Sequence, residues 1–280
     1  MTDAERFAEA RPRLRRLAYS ELGDLGEAED VVQEAWLRLE RVDAQAIENL
    51  DGWLTTVVAR LALDRLRSAR ARRETYVGPW LPEPLVSDDP ADRVTLDESV
   101  SYALLTVLEQ LSPAERTAFV LHDVFDVPFG EVAEVVGRTP EAVRQLASRA
   151  RRHVTRESPR FAASRDEHDR AVRAFAEAIA EGDMEGLLAV LDPDVVWTSD
   201  GGGLANAARK PLRGDARVAR AWVALGRKSP QEPTEIRLNG RLGLMLGHRD
   251  GHRSALSFIV GDGRVTRIDA VRNPEKLRRL

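Results

Sequence analysis

The sequence predicts a multidomain chain: two all-α domains, the second carrying a helix-turn-helix, then an α+β domain with a curved antiparallel sheet wrapped on helices. Three observations predict it. Apolar residues recur at helical spacing from residue 3 to residue 154. Between residues 234 and 271 the pattern changes to short apolar runs separated by turn residues. Between the two helical blocks lies Gly78-Pro79-Trp80-Leu81-Pro82-Glu83-Pro84-Leu85, whose prolines fix φ and remove backbone donors. That stretch is too stiff and too apolar for a solvated tether, so Trp80 is expected to be a docking residue.

The 280 residues fit two or three domains, and 43% hydrophobic with 31% charged residues is enough apolar mass for real cores. With no cysteine, disulfides, thiolate chemistry and cysteine-held zinc are excluded. No apolar run reaches bilayer length and the first residues lack a signal-peptide core, so a cytoplasmic protein is expected. Charge is segregated: residues 21–34 hold six acids and no base, whereas residues 60–73 hold six arginines against one aspartate. Residues 138–160 hold seven arginines against two glutamates. Local basic blocks suit phosphate even in a chain of net charge −4.

Residues 3–19 read as a helix with Phe7, Leu14, Leu17 and Ala18 on one side, interrupted by Gly23 and Gly26. A second helix, Glu27–Val42, buries Val31, Val32, Ala35, Trp36 and Leu39 and exposes Glu27, Asp30, Gln33, Glu34 and Glu40. After a loop over 43–49, a helix over 51–73 carries Trp53, Leu54, Val57, Val58, Leu61 and Leu66. It ends in a basic stripe of Arg60, Arg65, Arg67, Arg70, Arg72 and Arg73. Beyond the linker, residues 94–111 are helical, and Ser112-Pro113 with Glu115 starts a helix over 113–124.

In residues 127–154 a short helix, 129–136, stops at Gly137. Thr139 then caps a second helix with Pro140 at its first position. Val132, Ala133, Val136, Val143 and Leu146 close a tight corner between the two. This is a helix-turn-helix, whose second helix enters the major groove. Its outer face carries Glu141, Arg144, Gln145, Ser148 and Arg149, residue types that pair with base edges, with Arg151, Arg152 and Arg156 placed for phosphates.

On these residues the chain resembles an extracytoplasmic-function (ECF) sigma factor of bacterial RNA polymerase. GEAEDVVQEAWLRLERV (26–42) is similar to region 2.2, which implies core-polymerase contacts at the β′ clamp helices for Asp30, Gln33 and Glu34. DGWLTTVVARLALDRLRSARARRE (51–74) resembles regions 2.3 and 2.4, implying minus-ten DNA roles for Trp53, Arg60, Arg65 and Arg67. Residues 113–154 resemble region 4. That implies minus-thirty-five DNA roles for Arg144, Gln145, Ser148, Arg149 and Arg152, and a seat on the β flap. The implied domains are 1–74 (region 2), 75–93 (linker), 94–160 (region 4) and 165–280 (tail).

In the tail, a helix with Val172, Phe175 and Ile179 inward is expected early in the stretch from 168, followed by helices at 184–191 and 215–227, the last with Val218, Trp222 and Leu225. Strands are expected at 195–199, 234–238, 242–248, 253–260 and 264–271, with Asp250-Gly251 and Asp262-Gly263 at turns. This resembles the SnoaL-like fold, and the whole chain resembles the SnoaL-tailed subgroup of ECF sigma factors. Three motifs carry that likeness: Trp80, Leu81, Pro82, Glu83, Pro84 and Leu85 in the linker; Asp200, Gly201, Gly202 and Gly203; and Asn273, Pro274, Glu275, Lys276 and Leu277. The subgroup implies that the tail contacts the linker and regulates the sigma core without a separate anti-sigma factor. Where the subgroup carries lysine after the glycines, Leu204 stands here, and Lys210 is the nearest lysine.

Acid–base candidates in the tail are Asp192, Asp194, Asp200, His248 and Asp269; they form no recognisable constellation, so no catalytic residue, metal or cofactor is expected. His248 and His252, astride the Asp250-Gly251 turn, read as hairpin residues. The alternative function is a one-component helix-turn-helix regulator whose tail binds a small ligand in its cavity.

Overall fold

The computed structural model of the chain describes residues 2–73, 76–86, 101–157, 163–226 and 232–280. It divides into two compact units: residues 1–74, 94–100 and 104–157 form a helical unit, and residues 75–93, 101–103 and 158–280 form a tail unit. The expected helix start at residue 94 and the acidic residues 87–92 lie outside the described residues, as do the side chains of Arg70, Arg72 and Arg73.

The helical unit begins with α1 (Asp3–Leu22), capped by a Thr2/Glu5 capping box and ended by Gly23 at φ 67°. Gly23 alone breaks the chain. Gly26 lies in the first turn of α2 (Leu25–Leu39), because Asp24 accepts the Glu27 amide and starts that helix early. Helix α3 (Leu50–Arg73) follows a short 3-10 turn at Ala44–Ala46. Leu14, Leu17, Val31, Ala35, Leu54 and Val58 are fully buried among these three helices, and Phe7 lies against Trp36 with ring centroids 5.0 Å apart.

The second half of the unit holds α4 (Tyr102–Leu108) from Leu104 onward, then α5 (Pro113–Phe119), α6 (Phe129–Val136) and α7 (Pro140–Glu157). Helix α5 carries the expected Ser112/Glu115 box, but runs into a π turn at Val120–Val124 instead of continuing as α-helix. Gly137 at φ 73° ends α6, and the Thr139 hydroxyl accepts the Ala142 amide at the start of α7. Val132, Val136, Val143 and Leu146 are buried in the corner, as the sequence predicts.

The tail unit packs α8 (Arg165–Glu181), α9 (Met184–Val190) and α10 (Asp215–Gly226) on one face of a six-stranded sheet. Its strands are β1 (Leu191–Asp200), β2 (Leu212–Arg213), β3 (Thr234–Leu238), β4 (Arg241–Gly247), β5 (Arg253–Gly261) and β6 (Arg264–Val271), in the order β2-β1-β6-β5-β4-β3. Phe175 stands edge-on to both Trp222 (5.4 Å) and Phe258 (5.2 Å), and burying side chains of this size contributes about 1.5–3 kcal/mol each.

The β3–β6 meander is antiparallel as expected, but β1 and β6 pair in parallel, so the sheet is mixed. Hairpin turns fix direction only within 234–271; β1 joins across a long connection, which permits either sense. The parallel pairing positions the site. It sets Asp200 opposite Val271, so the segments leaving β1 and β6 emerge at the same end of the sheet. Antiparallel pairing would have separated them by the length of a ten-residue strand, about 33 Å.

Candidate functional site: a linker clasp on the tail sheet

Alternation along the strands gives the sheet two different faces. Leu244, Leu256, Phe258, Ile268 and Ala270 face the helices, while Ala255, Val271 and partly buried Met245 face the other way. That second face is covered by the linker. Leu81 packs with Tyr102, Leu238, Ala255, Val271 and Leu277, and Val86 makes an antiparallel bridge to Leu238 on the edge strand β3. Pro82, Glu83, Pro84 and Leu85 are buried, and Trp80 is partly so.

The polar centre of the clasp is the fully buried carboxylate of Asp200. One oxygen accepts the Tyr76 hydroxyl (2.7 Å) and the Gly202 amide (3.0 Å); the other accepts the Leu81 amide (2.9 Å) and Lys276 Nζ (2.8 Å). Lys276 also donates to the Leu81 carbonyl, and its Nζ lies 3.9 Å from the Trp80 ring centroid and 5.4 Å from that of Tyr76. A buried anion is thereby matched by a buried cation, and every polar backbone atom of Leu81 is paired. Burial, then the Asp200 hydrogen bond, raises the Tyr76 hydroxyl above its ordinary pKa, keeping it a donor.

The three motifs have distinct local tasks. Gly202 sits at φ 61°, where an added Cβ would lie 2.4 Å from Asn273 Nδ2 and 3.1 Å from Tyr76 Oη. At Gly201 a Cβ would lie 2.2 Å from the Ala205 carbonyl. Gly203 is exposed beside Val77. Asn273 donates to Tyr76 Oη (3.0 Å) and its carbonyl accepts the Lys276 amide (3.1 Å), turning the chain so that the lysine faces inward. Pro274 is partly buried, Leu277 is buried, and exposed Glu275 directs its side chain to Arg278 (3.5 Å). Leu204 is exposed, as is Lys210; the lysine that meets Asp200 is Lys276.

Three clasp residues carried no sequence motif. Tyr76 precedes the proline-rich stretch. Asn239, at φ 46° in the β3–β4 turn, accepts the Leu85 amide (3.0 Å) and donates its own amide to the Leu85 carbonyl (2.8 Å). The Tyr102 hydroxyl donates to the Pro82 carbonyl (3.0 Å). The Asn239-Gly240 dipeptide was a readable turn signal; nothing in the sequence tied it to the linker.

The other candidates do not converge. Asp192 and Asp194 form a turn at the start of β1, remote from Asp200 at its end. His248 bonds Ser254 Oγ (2.6 Å) and pairs with His252 across the hairpin turn; burial lowers its pKa. Asp269 is held by Arg267 (2.8 Å), and burial raises its pKa.

In the helical unit, Glu141, Arg144, Gln145, Ser148, Arg149 and Arg152 are all exposed along α7. Arg144 pairs with Glu141 (3.2 Å) over the Phe129 ring, and Arg151 is held by Asp123. Asp30 and Gln33 are exposed on α2, with Glu34 half-buried beside Arg38 (3.1 Å). Arg65 turns to Asp30 (3.3 Å), so residues expected on two separate surfaces meet. Arg67 pairs with Asp64, Trp53 is half-buried, and Arg60 donates to the Glu134 carbonyl on α6 (3.2 Å).

Comparison with known proteins gives three family matches: Sigma-70 region 2 over residues 7–72, Sigma-70, region 4 over residues 101–154, and the SnoaL-like domain over residues 172–272. The chain is 41% identical to the ECF RNA polymerase sigma factor SigJ of Mycobacterium tuberculosis, over 98% of this chain and 93% of that protein. It is 46% identical to the probable ECF RNA polymerase sigma factor SigI of the same organism, over 66% of this chain and 65% of that one. The crystal structure of M. tuberculosis SigJ matches with a TM-score of 0.82 at 38% identity, covering 99% of this chain and 98% of the other.

Proposed function

Because the chain belongs to the ECF RNA polymerase sigma factors with a C-terminal SnoaL-like domain, we propose that it directs promoter recognition by core polymerase under control of its own tail. In this reading residues 1–74 bind core polymerase and minus-ten DNA, residues 94–160 read the minus-thirty-five element, and residues 165–280 hold residues 76–86 of the linker. Exposed Asp30 and Gln33, with Glu34, face the polymerase. Arg144, Gln145, Ser148, Arg149 and Arg152 face the DNA major groove. Trp53, Arg60, Arg65 and Arg67 serve the minus-ten strand, for which Arg60 and Arg65 must exchange their present partners.

The observation that carries the regulatory part is the Asp200 carboxylate taking the Leu81 amide and Lys276 together. A free linker of this composition spans about 3.1 Å per residue and lets the flanking domains separate. Held on the sheet from Tyr76 to Val86, the same segment has one fixed path. The tail then acts in cis, with no separate anti-sigma factor required and no chemistry of its own.

Run-off transcription with purified core polymerase and a cognate promoter tests this. Core plus the full chain should initiate where core alone does not. Cutting after Ser164 and substituting Trp80→Ala should shift the yield in the same direction, since both release the linker. If neither variant changes transcription, the tail has no regulatory role. If the full chain supports no initiation, the one-component regulator is the better account.

A further inference from the structure

Charge is segregated inside the tail as well. Residues 201–226 hold Arg209, Lys210, Arg213, Arg217 and Arg220 against a single acid, Asp215, whose carboxylate accepts the Ala216 amide. All five bases are exposed, and among the described residues none of their side chains has a hydrogen bond or an ion pair. By contrast, Arg173 is held by Glu235 (2.8 Å), Arg237 by Asp169 (3.5 Å), Arg267 by Asp269 (2.8 Å) and Arg272 by Asp250 (2.9 Å). The positive charge of the 209–220 segment is therefore left unbalanced.

The fold fixes this segment in place. Arg213, on β2, pairs with Val196 of β1. Gly214, at φ 88°, then turns the chain into α10 while its amide bonds the Val195 carbonyl (2.9 Å). Helix α10 buries Val218, Ala219 and Trp222 against the sheet, which leaves Arg217 and Arg220, three residues apart, as neighbours on its outer side. Upstream, Arg272 donates to the Asn206 carbonyl, and a Cβ on Gly78 of the linker would lie 3.8 Å from Arg209 Cα. The patch thus begins where the clasped linker passes, yet its cations make no bond to the clasp.

We propose that this patch holds the phosphate backbone of duplex DNA, giving the tail a sequence-independent grip on the promoter. A pre-formed row of exposed cations suits an extended polyanion, because neutralising phosphates releases condensed counterions. The ring that a single-stranded base would stack on is missing from the surface of α10, since Trp222 is only 3% exposed. Between the arginines the exposed residues are Ala216 and Ala224, too small to anchor a helix in lipid. Backbone contact without base reading is what remains. The choice of DNA as the polyanion rests on the promoter-recognition reading above.

The test is binding of the full chain to a labelled duplex without promoter sequence, followed by fluorescence anisotropy between about 50 and 200 mM salt. Arg213→Ala/Arg217→Ala/Arg220→Ala should reduce the slope of log affinity against log salt by about 2.7, at 0.9 per phosphate contact. Over that salt range the parent then weakens about 40-fold more than the variant. Arg213→Lys/Arg217→Lys/Arg220→Lys should keep the parental slope, since a point charge suffices for phosphate. The chain has no cysteine, so a photo-crosslinker on Ala224→Cys reports the same contact in an otherwise parental surface. It should label the duplex with or without core polymerase, while one on exposed Glu177→Cys of α8 should not. A parent that does not bind the duplex, an unchanged slope in the alanine variant, or Ala224→Cys crosslinks that move to a polymerase subunit would each overturn the patch. Failure of the promoter reading looks different: the chain would initiate no transcription with core polymerase, while the slope still fell in the alanine variant.

Discussion

Substituting Lys276→Met tests the clasp at its centre. Methionine keeps the aliphatic stem against the buried surface but removes the cation that faces Asp200 at 2.8 Å, with Asp200 fully buried and the lysine side chain 7% exposed. Breaking one partner of a buried pair costs about 3–5 kcal/mol. Loss of the cation over the Trp80 ring, at 3.9 Å, costs about 0.5–2 kcal/mol more. Three donors remain on Asp200, from Tyr76, Leu81 and Gly202, so we take about 3 kcal/mol as the net loss. At 1.4 kcal/mol per decade that is roughly a 100-fold weaker clasp. Amide hydrogen exchange reads it directly, because the Leu81 amide is bonded to Asp200 and the Leu85 amide to Asn239. Both should exchange about 100-fold faster, while amides of α6 and α7 should not change. Leu81 exchange at the parental rate would refute the reasoning. An equal acceleration in α6 and α7 would point to general destabilisation instead. Adding Asp200→Asn to Lys276→Met should recover part of the protection, since no uncompensated charge then stays buried.

Three further outcomes follow from the geometry. The Glu21 carboxyl has a raised pKa of about 7 in the folded helical unit against an ordinary value of 4.5. Its contribution to folding is therefore fully present below about pH 4.5 and is lost as pH rises through 7, by on the order of 3 kcal/mol; denaturant unfolding measured over pH 5–8 should follow this, and Glu21→Gln should flatten it. Arg144→Ala should cost about 1–3 kcal/mol at one promoter base position, measured by binding to a set of single-base variants; equal loss on every sequence would make it a phosphate contact. Gly202→Ala should open the clasp, because its Cβ meets Asn273 and Tyr76 on a positive-φ backbone, whereas Gly251→Ala, at φ 79° with nothing within 4 Å, should cost only the backbone strain of about 1–2 kcal/mol in a thermal melt.

Much of the helical architecture was legible because local signals agreed. Capping boxes, Gly137 and the Thr139-Pro140 start fix the helix-turn-helix without reference to anything distant. Local signals failed where direction or partner was set across the chain. Nothing in Leu191–Asp200 specifies that it pairs parallel to β6, and that pairing brings Asp200 to Lys276. The linker motif was readable as apolar and stiff, yet Tyr76, Asn239 and Tyr102 gave no sign of joining it, since each is an ordinary turn or helix residue in its own segment. The basic stripe of α3 was legible as charge alone: counting arginines does not reveal that Arg65 meets Asp30 and Arg60 meets the Glu134 carbonyl.

The clasp also imposes an order in time. Leu81 and the lysine that secures it are 195 residues apart in the chain. At about 5–20 residues per second, a ribosome needs roughly 10–40 s to make that stretch. Throughout this interval the linker is complete and its anchors do not yet exist. Each newly made copy therefore passes through an unclasped period, and under the proposed control by the tail the amount of sigma factor that escapes restraint scales with translation rate as well as with binding strength.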